Sequence, residues 1–380
     1  MSIFIERSIK TRLIPKLLPN KVVLLMGARR VGKTALINHL LEHDINEPYL
    51  LLNGEDMATH SVLANRTVEN YQRLMGDKRF LVIDEAQKVP DIGLVLKLIV
   101  DNIEGIRVLA TGSSALDLSN KMGEPLTGRK FTFNLYPLAQ MEFSKTENLV
   151  ETRSRLEERM IFGCYPELQQ YSGNYDKAEY LRELVNAYLF KDILELGGIR
   201  NSDKIAGLLR LIAFQIGKEV SLEELGRQLG LSRNTVEKYL DLLSKVFVVF
   251  RLPGFSRNLR NEITKTSRWY FYDNGIRNTL INNMNSFPIR NDLGELWENY
   301  IVSERLKYQH YKGISVNNYF WRTYQQHEID LVEEGGGNLA AYELKWGQVK
   351  NVKPPAAWSR AYPESSFRLI NPENYLEWIT

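Results

Sequence analysis

Short apolar runs alternate with longer amphipathic segments along the first third of the chain. Five runs have the length and the β-branched or aromatic content of strands, and they cover residues 22–26, 49–52, 80–83, 107–110 and 131–135. The segments between these runs are long enough for helices. Strands that alternate with helices pair in parallel and carry the helices on the faces of the sheet. The pattern therefore predicts an α/β domain built on a parallel sheet.

The pattern changes twice after this region. Residues 156–245 are rich in Leu, Glu, Arg and Lys at helical spacing and predict an all-helical segment, which a short strand at 246–251 follows. Beyond residue 299 a helix continues through 306, and strands are predicted at 319–324, 329–332 and 339–345, with a hairpin turn at the glycines 335–337. These changes predict three domains, at residues 1–150, 151–291 and 292–380.

Composition and charge exclude several classes of protein. Of the 380 residues, 44% are hydrophobic and 25% are charged, which is typical of a folded globular chain and excludes global disorder. A formal net charge of +3 is too small for a strongly basic nucleic-acid binder, so any nucleic-acid contact must be local. No apolar run approaches the roughly 20 residues that span a bilayer. The one cysteine, Cys164, allows no internal disulfide, so we expect a cytoplasmic protein without a membrane segment.

A glycine-rich loop between the first predicted strand and the next helix has the spacing of a P-loop. It runs Gly-Ala-Arg-Arg-Val-Gly-Lys-Thr over residues 27–34, in the strand-to-helix context that this motif requires. In such a loop the backbone N–H groups surround phosphates, the lysine reaches the β and γ phosphates, and the hydroxyl ligates Mg²⁺. The candidate ATP-binding residues are Gly27, Arg29, Arg30, Gly32, Lys33, Thr34 and Ala35. A glycine-rich turn without a ligand is the alternative.

Polar residues follow three later strands of the predicted sheet. Asp84 and Glu85 end the third strand, where Asp84 would hold Mg²⁺ with Thr34 and Glu85 would orient a water as general base; helix capping is the alternative. Ser113 follows the fourth strand and could contact the γ phosphate or merely cap a helix. Arg129 precedes the fifth strand and could stabilise transition-state charge in cis or across a subunit interface, unless it forms a surface salt bridge.

The order of these motifs resembles a large prokaryotic family of AAA-like ATPases. The matching segments are Arg-Arg-Val-Gly-Lys-Thr at 29–34, Ile-Asp-Glu-Ala-Gln at 83–87, Thr-Gly-Ser-Ser at 111–114, Leu-Thr-Gly-Arg at 126–129 and Leu-Tyr-Pro-Leu at 135–138. The resemblance implies an ATPase module joined to a C-terminal domain of unnamed function, and homo-oligomers in which a neighbour's arginine completes the site. It also implies that a Gly-Gly-x-Pro element approaches the nucleotide. The matching stretch here ends in Pro166 and has Cys164 in place of the second glycine.

Residues 221–243 have the layout of a helix-turn-helix, with a glycine-containing turn and a second helix capped by Ser232. The strand at 246–251 suggests a winged variant. Candidate DNA contacts on the second helix are Arg233, Asn234, Thr235 and Lys238, and a basic patch downstream adds Arg257 and Arg260. A solvated charged face is the alternative for the patch. In AAA-like and signal-transduction ATPases similar winged modules often pack on the nucleotide site and relay its state, so an intramolecular role is the alternative to DNA binding.

Charged residues near the C-terminus resemble the core of PD-(D/E)xK nucleases. Asp330 lies in one predicted strand, and Glu343 and Lys345 lie two positions apart in the next, on the same face of the sheet. The resemblance implies that Asp330 and Glu343 hold Mg²⁺ and that Lys345 helps to activate water. Glu298 is our candidate for a fourth acid, with Glu295 and Glu304 as rivals. Chance alternation of charges on a half-exposed strand is the alternative.

Together these observations predict a Mg²⁺-dependent ATPase. Its fold would be an AAA-like P-loop NTPase domain of the α/β class, a helical and winged-helix middle, and a nuclease-like α/β domain. The leading hypothesis couples ATP hydrolysis to DNA binding or processing, with nuclease activity at the C-terminal site. The alternative is a signal-transduction-type ATPase switch that acts on a protein partner, with a non-catalytic C-terminal domain. A small-molecule kinase would leave Glu85 and the additional domains unexplained.

Overall fold

The computed structural model describes residues 5–113, 126–189, 202–257, 266–347 and 352–380. The chain divides into two compact units. The first unit comprises residues 7–137 and 245–247, and the second comprises residues 1–6, 138–244 and 248–380. The division into three domains at residues 150 and 291 stays a prediction.

A five-stranded parallel sheet forms the centre of the first unit. Its strands are β1 (Lys21–Met26), β2 (Tyr49–Asn53), β3 (Phe80–Asp84), β4 (Arg107–Gly112) and β5 (Lys130–Asn134). Their order across the sheet is β2-β3-β4-β1-β5, and every neighbouring pair is parallel. The central strands β1, β3 and β4 are buried along nearly their whole length, as expected when helices cover both faces of a parallel sheet. The predicted α/β fold with a parallel sheet is confirmed.

Helices follow or precede these strands in the first unit. They are α1 (Lys10–Leu13), α2 (Lys33–His43), α3 (Met57–Ala64), α4 (Val68–Met75) and α5 (Ile92–Asn102). Capping side chains start two of them: Asp56 accepts a hydrogen bond from the Ala58 amide of α3, and Thr67 accepts one from the Asn70 amide of α4. Because the strands are parallel, the residues that follow β1, β3 and β4 all lie at the carboxyl edge of the sheet, where α/β folds place ligand sites.

Helices and a small sheet make up the first part of the second unit. The helices are α6 (Gln140–Phe143), α7 (Leu149–Ser154), α8 (Leu156–Phe162), α9 (Asn174–Glu183), α10 (Ser202–Phe214), α11 (Leu222–Leu229), α12 (Arg233–Lys245) and α13 (Asn274–Leu280), with a π-helix over Leu184–Leu189. Three short strands, β6 (Glu219–Val220), β7 (Val249–Pro253) and β8 (Ser267–Phe271), pair antiparallel in the order β6-β8-β7.

The helix pair predicted at 221–243 is present, but two details of this region differ from the prediction. The segment 156–245 is not wholly helical, because β6 lies within it. The strand predicted at 246–251 begins three residues later, at Val249. Phe247 adopts a left-handed backbone conformation with φ 61°, which interrupts an extended strand at that position.

A mixed four-stranded sheet and the long helix α14 (Leu293–Lys312) complete the second unit. The strands are β9 (Asn317–Arg322), β10 (Glu328–Gly335), β11 (Asn338–Leu344) and β12 (Ser366–Ile370), in the order β12-β11-β10-β9. β12 runs parallel to β11, whereas the other pairs are antiparallel. Trp297 and Ile301 of α14 pack in one buried cluster with apolar residues of β10, β11 and β12. The short helices α15 (Ala356–Ala361) and α16 (Leu376–Ile379) flank β12.

Candidate functional site

The glycine-rich loop joins β1 to α2 at the carboxyl edge of the parallel sheet. A Cβ on Gly27 would stand 2.2 Å from the carbonyl oxygen of Leu135, so only glycine fits there. Gly32, at φ 94°, precedes α2, which begins without a side-chain cap. The Lys33 side chain is buried, and its Nζ donates to the carbonyl oxygens of Gly27 (3.0 Å) and Ala28 (3.1 Å). The loop therefore holds its lysine along the same backbone that would surround a phosphate.

Thr34 and Asp84 form the contact that a Mg²⁺ site needs. The Thr34 hydroxyl donates to one carboxylate oxygen of Asp84 at 2.7 Å, and the Thr111 hydroxyl donates to the other. The Glu85 amide donates to the same Thr111 hydroxyl at 3.0 Å. Hydroxyl and carboxylate oxygens at the end of a P-loop are hard ligands that suit Mg²⁺. These residues fit the ion, and Thr34 and Asp84 would hold it.

Glu85 lies in the left-handed backbone region, at φ 50°, directly after β3. One of its carboxylate oxygens is 3.9 Å from Lys33 Nζ, and the other accepts a hydrogen bond from the Gln87 side-chain amide at 2.5 Å. Gln87 is buried and donates a second hydrogen bond, at 3.1 Å, to the Ser113 hydroxyl at the end of β4. Gln87 thus links the candidate general base to the candidate phosphate sensor. Sequence reasoning gave it no role, although it lies two residues after Glu85.

Arg7 supports the loop from a distant part of the chain. Its side chain is buried, and its guanidinium donates to the carbonyl oxygens of Val31 in the loop and of Tyr136 after β5, both at 2.6 Å. These contacts span 24 and 129 residues of sequence, so no local motif could reveal them.

Arg129 lies at the opposite edge of the sheet from the loop. Its carbonyl oxygen accepts the amide of Val22 at the start of β1, and its side chain pairs with Asp101 at 2.5 Å. β1 separates this edge from Gly27 by about 16 Å at about 3.3 Å per residue, farther than an arginine side chain reaches. The predicted action of Arg129 in cis is therefore wrong. Only the predicted action across a subunit interface stays open.

Pro166 and Cys164 belong to the second unit, whereas the P-loop belongs to the first. Pro166 begins the 3-10 turn Pro166–Gln170. The Cys164 amide donates to a carboxylate oxygen of Asp273 at 2.7 Å, and burial raises the pKa of the Cys164 thiol. The thiol therefore has the environment of a small core residue.

The residues predicted to contact DNA lie on α12 and after β7. Arg233, Asn234 and Lys238 are exposed, and Thr235 is half-buried beside Ser232. Two of the cations form ion pairs within the unit: Arg233 with Glu223 at 3.2 Å, and Arg257 with Glu334 at 2.6 Å. Arg260 lies outside the described residues.

The four residues predicted for the C-terminal site lie close together, and three of them, Glu298, Asp330 and Lys345, line a cavity of about 660 Å³. Lys345 Nζ lies 2.7 Å from a Glu343 carboxylate oxygen and 3.9 Å from one of Asp330. Glu298 of α14 faces the same cavity, and burial, with the negative charge of Asp330, raises the pKa of its carboxyl group. Of the rival acids, Glu295 pairs with Lys218, and Glu304 forms a buried pair with Lys307.

Arg268 of β8 lies among these acids, and no motif in the sequence assigns it to this site. Its guanidinium is 3.4 Å from Glu298, 3.5 Å from Asp330 and 3.0 Å from Glu328. Within the described ranges, no three His, Cys, Asp or Glu side chains are placed to hold a metal ion. The structure does not support the predicted Mg²⁺ site at Asp330 and Glu343, because each carboxylate already contacts a cation, Arg268 at 3.5 Å and Lys345 at 2.7 Å.

Comparisons with known proteins assign three segments of the chain. Residues 19–144 match the family described as AAA domain, residues 153–286 match a domain of unknown function (DUF8612), and residues 293–375 match another (DUF4143). The chain is 25% identical over 336 residues to the uncharacterized protein MJ1544 of Methanocaldococcus jannaschii, which covers 83% of this chain and 73% of the relative. It is 26% identical over 329 residues to the uncharacterized protein Rv2008c of Mycobacterium tuberculosis. This match covers 85% of this chain and 70% of the relative.

Solved structures give weaker similarities. A signal transduction ATPase with a tetratricopeptide repeat sensor from Pyrococcus horikoshii is 12% identical with a TM-score of 0.33, over 83% of this chain and 48% of that one. The Pif1 helicase from Candida albicans is 14% identical with a TM-score of 0.28, over 48% of each chain. The chain thus spans about half the length of either structure, and both TM-scores are low.

The AAA-domain match and the site geometry agree on the class of protein. A five-stranded parallel sheet, a P-loop with a buried lysine, and a threonine bonded to a strand-end aspartate define a P-loop NTPase domain. Residues 19–144 are therefore similar to AAA-type P-loop ATPase domains, and residues 293–375 are similar to DUF4143 domains. In the part of the chain that the structure describes, no helix is both long enough and apolar enough to cross a membrane.

Proposed function

We propose that the protein hydrolyses ATP in the presence of Mg²⁺. The observation that carries this proposal is the 2.7 Å hydrogen bond between Thr34 and Asp84, which joins the two predicted metal-holding oxygens from separate elements. When bound, Mg²⁺ would neutralise charge on the β and γ phosphates. Lys33 would exchange its two loop carbonyls for phosphate oxygens, and the amides at the start of α2 would donate to the same group.

Glu85 carries the proposed hydrolytic step. Its carboxylate follows the same strand as Asp84, so it can accept a proton from a water aligned with the γ phosphate. The hydrogen bond from Gln87 fixes one carboxylate oxygen and leaves the other toward Lys33. Binding thus depends on Lys33 and Thr34, whereas chemistry depends on Glu85.

Two variants separate binding from hydrolysis. Lys33→Ala should abolish both ATP binding and turnover, because the buried ammonium group contacts the phosphates in both states. Glu85→Gln should bind ATP with wild-type affinity and lower kcat on the order of a hundredfold or more, the typical contribution of a general base. Equilibrium binding of a fluorescent ATP analogue and steady-state phosphate release measure the two quantities. Wild-type turnover in Glu85→Gln would contradict the assignment of the base.

We further propose that the ATPase acts on DNA through the region from α10 to β8. The order α10, β6, α11, α12, β7, β8 is that of a winged helix, and α12 would be its recognition helix. Arg233, Asn234 and Lys238 are exposed on the first turns of α12, where such helices contact bases and phosphates.

DNA affinity measured at several salt concentrations tests this proposal. Phosphate contacts release counterions, so wild-type affinity should fall steeply with salt. The double variant Arg233→Ala/Lys238→Ala should bind more weakly with a slope reduced by about two. Lys97→Ala, an exposed lysine of α5, is the matched control and should bind as wild type does. DNA affinity that does not change with salt, or that survives in the double variant, would contradict this surface.

A nucleotide-driven switch that acts on a protein partner is the second candidate function. It is favoured by the ion pairs that already engage Arg233 and Arg257. It is also favoured by the exposed acids Glu237 and Asp241, which lie on α12 with Arg233. These acids would repel phosphates. ATP hydrolysis that no DNA stimulates, in a protein without salt-sensitive DNA affinity, would support the switch.

Nuclease activity is in neither proposal, because the C-terminal carboxylates do not fit a metal.

A further inference from the structure

Arg268 occupies the centre of the C-terminal acidic cluster, which we define as Glu298, Glu328, Asp330 and Glu343. Its side chain is only 5% exposed and contacts the first three of these carboxylates within 3.5 Å. The remaining member, Glu343, pairs with Lys345. Arg268 and Lys345 are thus cations that contact the acidic cluster, and both line the same partly enclosed cavity.

The surrounding elements hold the Arg268 guanidinium in place. Arg268 lies in β8, where its backbone pairs with Glu219 of β6 on one side and Leu252 of β7 on the other. Its guanidinium carbon lies 4.8 Å from the ring centre of Phe320 in β9, within the range of a cation–π contact. Strand pairing on both sides and the aromatic ring leave the side chain little freedom to withdraw.

The positive charge of Arg268 opposes the binding of a divalent ion at the acidic cluster. Buried carboxylates need compensating positive charge, which either a divalent ion or a side chain can supply. An ion bound by both Glu298 and Asp330 would have to sit where the guanidinium now contacts them. A second cation there would be repelled strongly, because charges a few ångströms apart interact strongly inside a protein.

We infer that Arg268 replaces the divalent metal of this nuclease-like site, so the acidic cluster anchors the three-stranded sheet instead of catalysing hydrolysis. The cluster is then an internal docking site for β8. Its function is to hold the helical part of the second unit to the mixed sheet through buried ion pairs. The inference does not depend on ATP hydrolysis in the first unit.

Binding of Mn²⁺ alone, without nucleotide, tests the inference on the full chain. Free Mn²⁺ measured by electron paramagnetic resonance should show no site at the cluster in the wild type. Arg268→Met keeps the apolar stem and removes the charge, and should gain one Mn²⁺ site that the wild type lacks. Arg268→Lys keeps the charge and should stay like the wild type. Asp330→Asn added to Arg268→Met should remove the gained site.

Circular dichroism and thermal unfolding show whether each variant folds. If Arg268→Met fails to fold, Arg268→Gln, which is also uncharged and can still accept and donate hydrogen bonds, replaces it in the same comparison. Two outcomes would overturn the inference. One is a wild-type Mn²⁺ site that Asp330→Asn removes, and the other is a folded uncharged variant that gains no site.

Discussion

Single side chains at the carboxyl edge of the parallel sheet determine what the P-loop can do. Asp84 accepts one hydroxyl on each carboxylate oxygen, from Thr34 and Thr111, and these two bonds fix the carboxylate in the orientation that the proposed Mg²⁺ site uses. Glu85 receives a different partner, the Gln87 amide, and points along another direction. Two adjacent carboxylates are thus held by separate hydrogen bonds and serve separate proposed roles.

Gln87→Ala should lower kcat roughly 10- to 100-fold and leave the affinity for ATP unchanged. The reason is that a hydrogen bond to a charged group contributes about 1.5 to 3 kcal/mol, and this one orients the base without touching the nucleotide. Steady-state kinetics and equilibrium ATP binding measure the two effects. Gln87→Asn, whose shorter side chain keeps the amide, should recover part of kcat.

Gln72→Ala, an exposed glutamine of α4, is the control and should leave both quantities at the wild-type level. A Gln87→Ala protein that binds ATP more weakly but turns over at the normal rate would show that Gln87 only supports the fold.

At the scale of elements, the loop between β1 and α2 depends on chain segments far from it in sequence. Gly27 must be glycine because the backbone after β5 passes close to it. Arg7 holds the loop carbonyl of Val31 and the carbonyl of Tyr136 with one guanidinium. The geometry of the P-loop is therefore set partly by the N-terminal segment and by the end of β5.

Arg7→Ala should lower the free energy of unfolding by about 2 to 3 kcal/mol and weaken ATP binding. Two buried carbonyl groups would lose a charged donor, and the loop would lose a fixed point. Urea unfolding with and without ATP measures both effects, and Arg73→Ala on the exposed side of α4 is the control. An Arg7→Ala protein as stable as the control would contradict the role of this side chain.

At the scale of the whole molecule, Arg129 does not reach the proposed ATPase site of its own chain. That residue lies at the amino edge of the sheet, bound to Asp101. If Arg129 acts in catalysis, it must act on the site of a neighbouring copy. A catalytic role for Arg129 therefore requires the predicted homo-oligomer.

Mixing two inactive variants tests this coupling. Arg129→Ala keeps its P-loop and lacks the arginine, whereas Lys33→Ala lacks a working P-loop and keeps the arginine. Each alone should hydrolyse ATP at least tenfold more slowly than the wild type, and the mixture should regain part of the activity. Asp101→Ala removes the ion pair alone and should remain active. Full activity of Arg129→Ala by itself would remove both the arginine and the oligomer from the mechanism.

Much of the first unit could be predicted from sequence because its signals are local. A buried parallel strand is a short apolar run, and a P-loop is a run of eight residues, so five strands and the positions of Lys33, Thr34, Asp84 and Glu85 follow from the printed order. The C-terminal strands that carry Asp330 and Glu343 follow in the same way. The strand β12 was missed, since its alternation is short and its partner β11 lies more than twenty residues away.

The sequence alone determined which groups are available, and the tertiary structure decided which of them meet. Gln87 and Ser113, Arg7 and Val31, and Arg268 and the acidic cluster are pairs separated by 24 or more residues, so their contacts depend on strand order and packing. The same packing places Arg129 at the edge opposite the P-loop and a guanidinium where a metal was predicted. The physical reason is that charge acts over a few ångströms in space, a distance that spacing along the chain does not specify.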